Sequence, residues 1–180
     1  MKTRQGGFDL SARRILAVLI FSCVAWGTSA TSEESNTLKI GDSIDAFTLE
    51  DQFGDPQQVD KNTALVLFSR DMEGGELLSS ALKNKPPDYL SERRAIYVAD
   101  ISGMPGFVAR LFALPKMRKR AYPMLLDREG RVTKRLPDQE DHGTLIELDE
   151  LKITNVEFFG DVGEIKARLE GSKLPKTLEP

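Results

Sequence analysis

Residues 66–78 read VLFSRDMEGGELL, and two carboxylates, Glu73 and Glu76, flank a Gly-Gly pair there. Paired carboxylates serve general acid-base chemistry and hold hard cations, provided a cleft brings the substrate or ion between them. An apolar run, ALVLF (64–68), precedes the pair and is continuous enough for a strand buried on both faces. After the pair, Leu77, Leu78, Ala81 and Leu82 recur at helical spacing, ending before Pro86-Pro87. The two glutamates therefore fall at a helix start, where free N–H groups and the helix dipole favour negative charge by about 0.3–1 kcal/mol each. That role accounts for both residues without a substrate, so neither is assigned catalysis.

Other chemistry is sparse. His142 is the only histidine and lies among acids in DQEDHG (138–143), which reads as a solvated loop because transition-metal sites draw on several nitrogen or sulfur ligands. No G-x-G-x-x-G follows a strand, no phosphate-binding G-x-x-x-x-G-K-[ST] occurs, and FGDVGE (159–164) lacks the third glycine. There is no G-x-S-x-G elbow. The expectation is neither metal nor cofactor.

The sequence holds one cysteine, Cys23, inside a segment unlike the rest. Arg4, Arg13 and Arg14 precede ILAVLIFSCVAW and the small residues GTSA, the layout of a secretory signal cut after Ala30. The apolar run is shorter than the roughly 20 residues that span a bilayer. An uncleaved anchor and a lipoprotein at Ser22-Cys23 are the alternatives, and Arg13-Arg14 is a weak twin-arginine signal. Cleavage would remove four of 25 basic and one of 28 acidic residues, leaving a formal charge of about −6 and no thiol. The acidic balance argues against a nucleic-acid partner. The signal-like layout implies a periplasmic or secreted location without a stable membrane span.

Composition, 40% hydrophobic and 29% charged, suits one globular domain. Residues 31–37 read as a loose leader, 38–170 as the domain and 171–180 as a fraying tail. IDAFTLEDQFGDPQQVD suggests a β-hairpin around Gly-Asp-Pro. AIYVADI (95–101) is a second buried strand, and Met104-Pro105-Gly106 opens a helix with Phe107, Val108, Leu111 and Phe112 as its apolar stripe. Pro115 should disturb or end that helix, leaving KMRKR (116–120) as solvated charge at its end. YPMLLD (122–127), TLIELDE and KITNVEFF are further strands, the last two joined by a tight turn near Leu151-Lys152, before a helix over 162–170. Strands that alternate with helices and then run antiparallel imply a mixed sheet covered by helices on both faces.

This order, with DAFTLEDQFGDPQQV (45–59), the strand-turn-helix at EGGE and Tyr122-Pro123 leading a strand, resembles the thioredoxin-like superfamily in its redoxin branch. Ala46 stands where the opening motif usually has proline. The resemblance implies an α/β fold, a three-layer α/β/α sandwich with a mixed central sheet and an N-terminal β-hairpin. It places Glu73-Gly74-Gly75-Glu76 over the C-x-x-C of the family, where the helix start lowers a thiol pKa. Glutamate keeps the charge and lacks the nucleophile. It also matches Pro123 to the cis-proline beside the active site, so that Arg70, Asp71, Met72, Glu73, Gly74, Gly75, Glu76, Tyr122 and Pro123 would line one peptide groove. The function implied is a non-catalytic peptide- or protein-binding module of the cell envelope. The alternatives are an oxidoreductase that borrows a cofactor or partner thiol, and a structural subunit of an envelope complex.

Overall fold

The computed structural model describes residues 37–171. The signal, the leader up to residue 36, Cys23 and most of the tail lie outside them. Two short strands, β1 (Phe47–Glu50) and β2 (Pro56–Val59), form the expected antiparallel hairpin. Asp51 closes its turn: one carboxylate oxygen, Oδ1, accepts from the N–H groups of Phe53, Gly54 and Asp55.

The main sheet contains β3 (Leu65–Ser69), β4 (Ala95–Asp100), β5 (Met124–Asp127), β6 (Gly143–Asp149) and β7 (Lys152–Phe159) in the order β5-β4-β3-β6-β7. β3, β4 and β5 are parallel, while β6 runs antiparallel to β3 and β7 to β6. Every residue of β3 is buried, as its unbroken apolar run requires of a central strand. The β6–β7 turn is carried by Glu150 and Leu151, both with positive φ (47° and 70°), which matches the right-handed twist of a two-residue hairpin.

Alternate side chains of the sheet feed two cores. Leu65, Leu67, Tyr97 and Leu145 pack against Leu78, Ala81 and Leu82 of α1 (Met72–Ala81) and its C-cap, and against Ile165 and Leu169 of α4 (Val162–Gly171). Val66, Phe68, Val98 and Ile146 pack instead against Leu38, Ile44, Val59 and Leu136. The second outer layer is thus supplied by the hairpin side and the turn before Leu136, whereas the helices that contribute core residues lie on the first face.

Between β4 and β5 the chain runs through α2 (Gly106–Val108), a π-turn (Ala109–Ala113) and α3 (Leu114–Met117). Pro115 does not end this run. It enters at the first turn of α3, where its missing N–H costs least, and the wider π-turn ahead of it absorbs the change. The apolar stripe expected of this helix does not face the core. Phe107, Leu111 and Phe112 are 67%, 64% and 68% exposed, and Leu114 and Met117 reach the core in their place. No helix among the described residues is long and apolar enough to cross a membrane.

Candidate functional site

The helix after β3 begins two residues earlier than the glycines suggest. Asp71 is its N-cap, with extended backbone, and Asp71 Oδ1 accepts from Gly74 N at 2.7 Å. Its other oxygen accepts from Asp141 N at 2.9 Å, which fastens the approach to β6 onto the helix start. Glu73 and Glu76 are therefore the second and fifth residues of α1, one favourably placed for the dipole and one beyond the first turn. Glu76 accepts from Lys116 Nζ at 2.9 Å, and that hydrogen bond, with the lysine charge, holds the carboxyl below the ordinary glutamate value. The two carboxylates do not form a working pair: one is drawn to Lys116 and the other is exposed.

Gly74 and Gly75 lie inside the helix, and only one of them is needed for space. A Cβ on Gly74 would lie 2.2 Å from the His142 carbonyl oxygen, so this glycine permits the start of β6 to touch the first turn of α1. A Cβ on Gly75 would meet Ser69 Oγ at 3.6 Å, an ordinary contact. Below the turn lies Tyr97, wholly buried, whose hydroxyl contacts Ser69 Oγ at 3.2 Å and donates to the Gly75 carbonyl at 3.4 Å. Burial pushes its pKa up to about 12, so the phenol stays protonated.

Arg70 is a clamp. Its guanidinium pairs with Asp100 at 3.0 Å and Asp138 at 2.8 Å and donates to the carbonyls of Thr133 and Leu136, while its plane lies 5.2 Å from the Phe68 ring centroid. Thr133 Oγ1 contacts both Asp100 and Asp127, and Asp127 accepts the N–H groups of Gly130, Val132 and Thr133. The carboxyl ends of all three parallel strands are thereby tied to the 128–138 segment.

A groove of about 620 Å³ opens between the start of α1, the end of β4 and the α2–α3 run. Arg70, Asp71, Met72, Gly75 and Glu76 line it together with Tyr97, Phe112, Met117 and Arg120. Met72 is 74% exposed at one lip and Phe112 stands at the other.

Tyr122 and Pro123 are not part of this groove. They lead β5, which runs parallel to β4 and β3, so they stand at the opposite end of the sheet from α1's first turn. Pro123 lines a separate hollow of about 440 Å³ with Leu90, Arg94 and Ile96. Nor is the Tyr122 backbone available to pair with a peptide. Gln52, 1% exposed, donates from Nε2 to the Tyr122 carbonyl and accepts the Met124 N–H at Oε1, occupying that edge as a strand would. The Tyr122 ring turns inward and stacks on Tyr97 at 6.1 Å. Gln52 carries no sequence signal, being a polar residue in an evident turn.

The strand that starts beside α1 is β6. Its neighbour His142 is half-buried rather than free in a loop: Nδ1 donates to the Glu140 carbonyl at 2.6 Å, which leaves Nε2 to accept from Gln139 at 3.0 Å. Among the described residues, carboxylate oxygens of Asp71, Glu73 and Asp141 lie within 4.8 Å of one another. Both Asp71 oxygens already accept main-chain N–H groups, so capping accounts for that member of the cluster.

Comparison with solved structures agrees with this topology. The peroxidoxin BcpB from Mycobacterium tuberculosis superposes with a TM-score of 0.51 at 20% identity, covering 76% of this chain and 99% of its own. The thioredoxin domain of a thiol-disulfide oxidoreductase from Bacteroides vulgatus gives 0.50 at 16% identity, over 74% and 97%. No protein-family model matches the chain, and no curated protein does. A five-stranded mixed sheet, an antiparallel hairpin and these neighbours together identify a thioredoxin-like redoxin fold, in a sequence whose single cysteine rules out a redox pair within the chain.

Proposed function

We propose that this protein is an exported binding module on a redoxin fold, which holds an extended segment of a partner protein in the groove between α1 and the α2–α3 run and performs no thiol chemistry on it. The observation that carries the reading is the state of the helix start. Where a redoxin would carry its reactive sulfur, Asp71 caps the helix, Arg70 clamps a loop and Glu76 pairs with Lys116, while an apolar groove of about 620 Å³ lies open beside them. Such a volume is in the range of ligand-binding clefts. Its exposed Met72 and Phe112 offer the adaptable apolar contact that suits a peptide side chain. Residues 1–30 support export through their signal-like layout.

The test is selection of peptides from a random library on the full chain, followed by titration calorimetry. Selected peptides should share an apolar anchor, lose at least tenfold in affinity with Phe112→Ser, equivalent to about 1.4 kcal/mol, and bind Cys23→Ser as well as the parent. Peptides whose affinity ignores Phe112→Ser, or depends on Cys23, would refute the reading.

A further inference from the structure

From Ile101 to Leu126 the sequence has five cations, Arg110, Lys116, Arg118, Lys119 and Arg120, and no Asp or Glu, in a chain whose formal charge is −3. The same segment holds Phe107, Leu111 and Phe112, each about two-thirds exposed. These are not stray apolar residues. A π-turn closes on the fifth residue and rotates less per residue than an α-turn, so side chains four and five positions apart come onto one face. Phe107 and Leu111, four positions apart, are exposed outside the groove lining, which Phe112 joins.

The groove therefore does not explain Phe107 and Leu111, which stand outside it. Neighbouring elements engage only part of the segment: Glu76 pairs with Lys116, and the neutral Gln52 carbonyl accepts from Arg118 Nε at 2.9 Å. Arg110 and Lys119 are exposed. Exposed apolar side chains in a segment with five cations and no acid, in a chain of net negative charge, match a layered surface with anionic headgroups above an apolar interior. We propose that the α2–α3 run is a peripheral docking face for an anionic lipid bilayer, with Phe107 and Leu111 entering the headgroup boundary and Arg110 and Lys119 meeting lipid phosphates. The net negative charge elsewhere would orient the molecule with this face down.

The full chain includes another apolar stretch, so the readout must be local. Its only tryptophan, Trp26, is removed by Trp26→Phe, and a reporter is introduced either by Phe107→Trp or, as control, by Ile40→Trp, an exposed position beside the β7 edge. Vesicles of phosphatidylcholine alone, or with phosphatidylglycerol in equal parts, carry bromine on their acyl chains. The Phe107→Trp chain should shift its emission to shorter wavelength and be quenched on the anionic vesicles alone, with the Ile40→Trp chain unaffected. Adding Arg110→Gln and Lys119→Gln should weaken partitioning ~30-fold. Circular dichroism of each variant establishes that it is folded. Absence of quenching at position 107, even if the chain sediments with vesicles through another segment, would overturn the proposal, as would equal quenching on phosphatidylcholine alone.

Discussion

Two adjacent glycines at the start of α1 look interchangeable in the sequence and differ in what surrounds them. Gly74→Ala forces a methyl group onto a backbone carbonyl that belongs to the approach to another strand, and should destabilise the fold by about 1–3 kcal/mol. Gly75→Ala meets only ordinary contacts and gains helix propensity, so it should be neutral or stabilise by up to about 1 kcal/mol. Urea denaturation of the two variants reads the difference directly; equal effects would contradict the close approach of β6 to α1. Tyr97 makes a second prediction at this scale. Its pKa is raised from the ordinary value of 10 to about 12 by burial, so between these values the unfolded chain loses a proton that the native chain keeps. Stability is then intact below about pH 10 and falls by about 1.4 kcal/mol per pH unit above it, until the folded phenol also ionises. Tyr97→Phe should flatten that alkaline loss, measured as urea midpoints at about pH 9 and about pH 11.

At the scale of elements, Arg70 decides how the 128–138 segment is held. Arg70→Gln leaves Asp100, whose side chain is 5% exposed, without its cationic partner and should cost about 1.5–3 kcal/mol, with faster amide exchange at Thr133 and Leu136 as the local signature. Loss of stability without that local signature would show that the clamp acts elsewhere. The strands are legible in the sequence because apolar runs such as ALVLF and AIYVADI leave no other use for themselves, and the hairpin because Asp51, Gly54 and Pro56 carry turn chemistry. The helix after Met104-Pro105-Gly106 is legible but the packing of its face is not, because a 3.6-residue period assumes an α-helix throughout, whereas a π-turn occupies Ala109–Ala113 and Phe107, Leu111 and Phe112 are exposed. The site is legible at its first half only. Asp71 to Glu76 lie in one local strand-turn-helix, whereas the second half depends on which strand crosses beside it. Tyr122-Pro123 has the local look of that strand, yet the parallel pairing of β5 sends it to the far end, and the antiparallel partner is β6 with His142 before it. Pairing partners across the sheet leave no mark in a local string.

For the whole molecule, the redoxin fold supplies a helix start exposed at the carboxyl ends of parallel strands, and this chain fills it with a cap, a clamp and a groove. The decisive point is whether that groove is where a partner is held. A photocrosslinking side chain placed at Met72, 74% exposed on the groove lip, and separately at Ile40, 60% exposed and away from the groove lining, compares the groove with ordinary surface in the full chain. Crosslinking in extract of the native cells, with the attached peptides identified by mass spectrometry, should give at Met72 a recurring segment that excess selected peptide displaces, and at Ile40 only unspecific products. The same products at both positions, undisplaced by the peptide, would contradict a binding role for the groove.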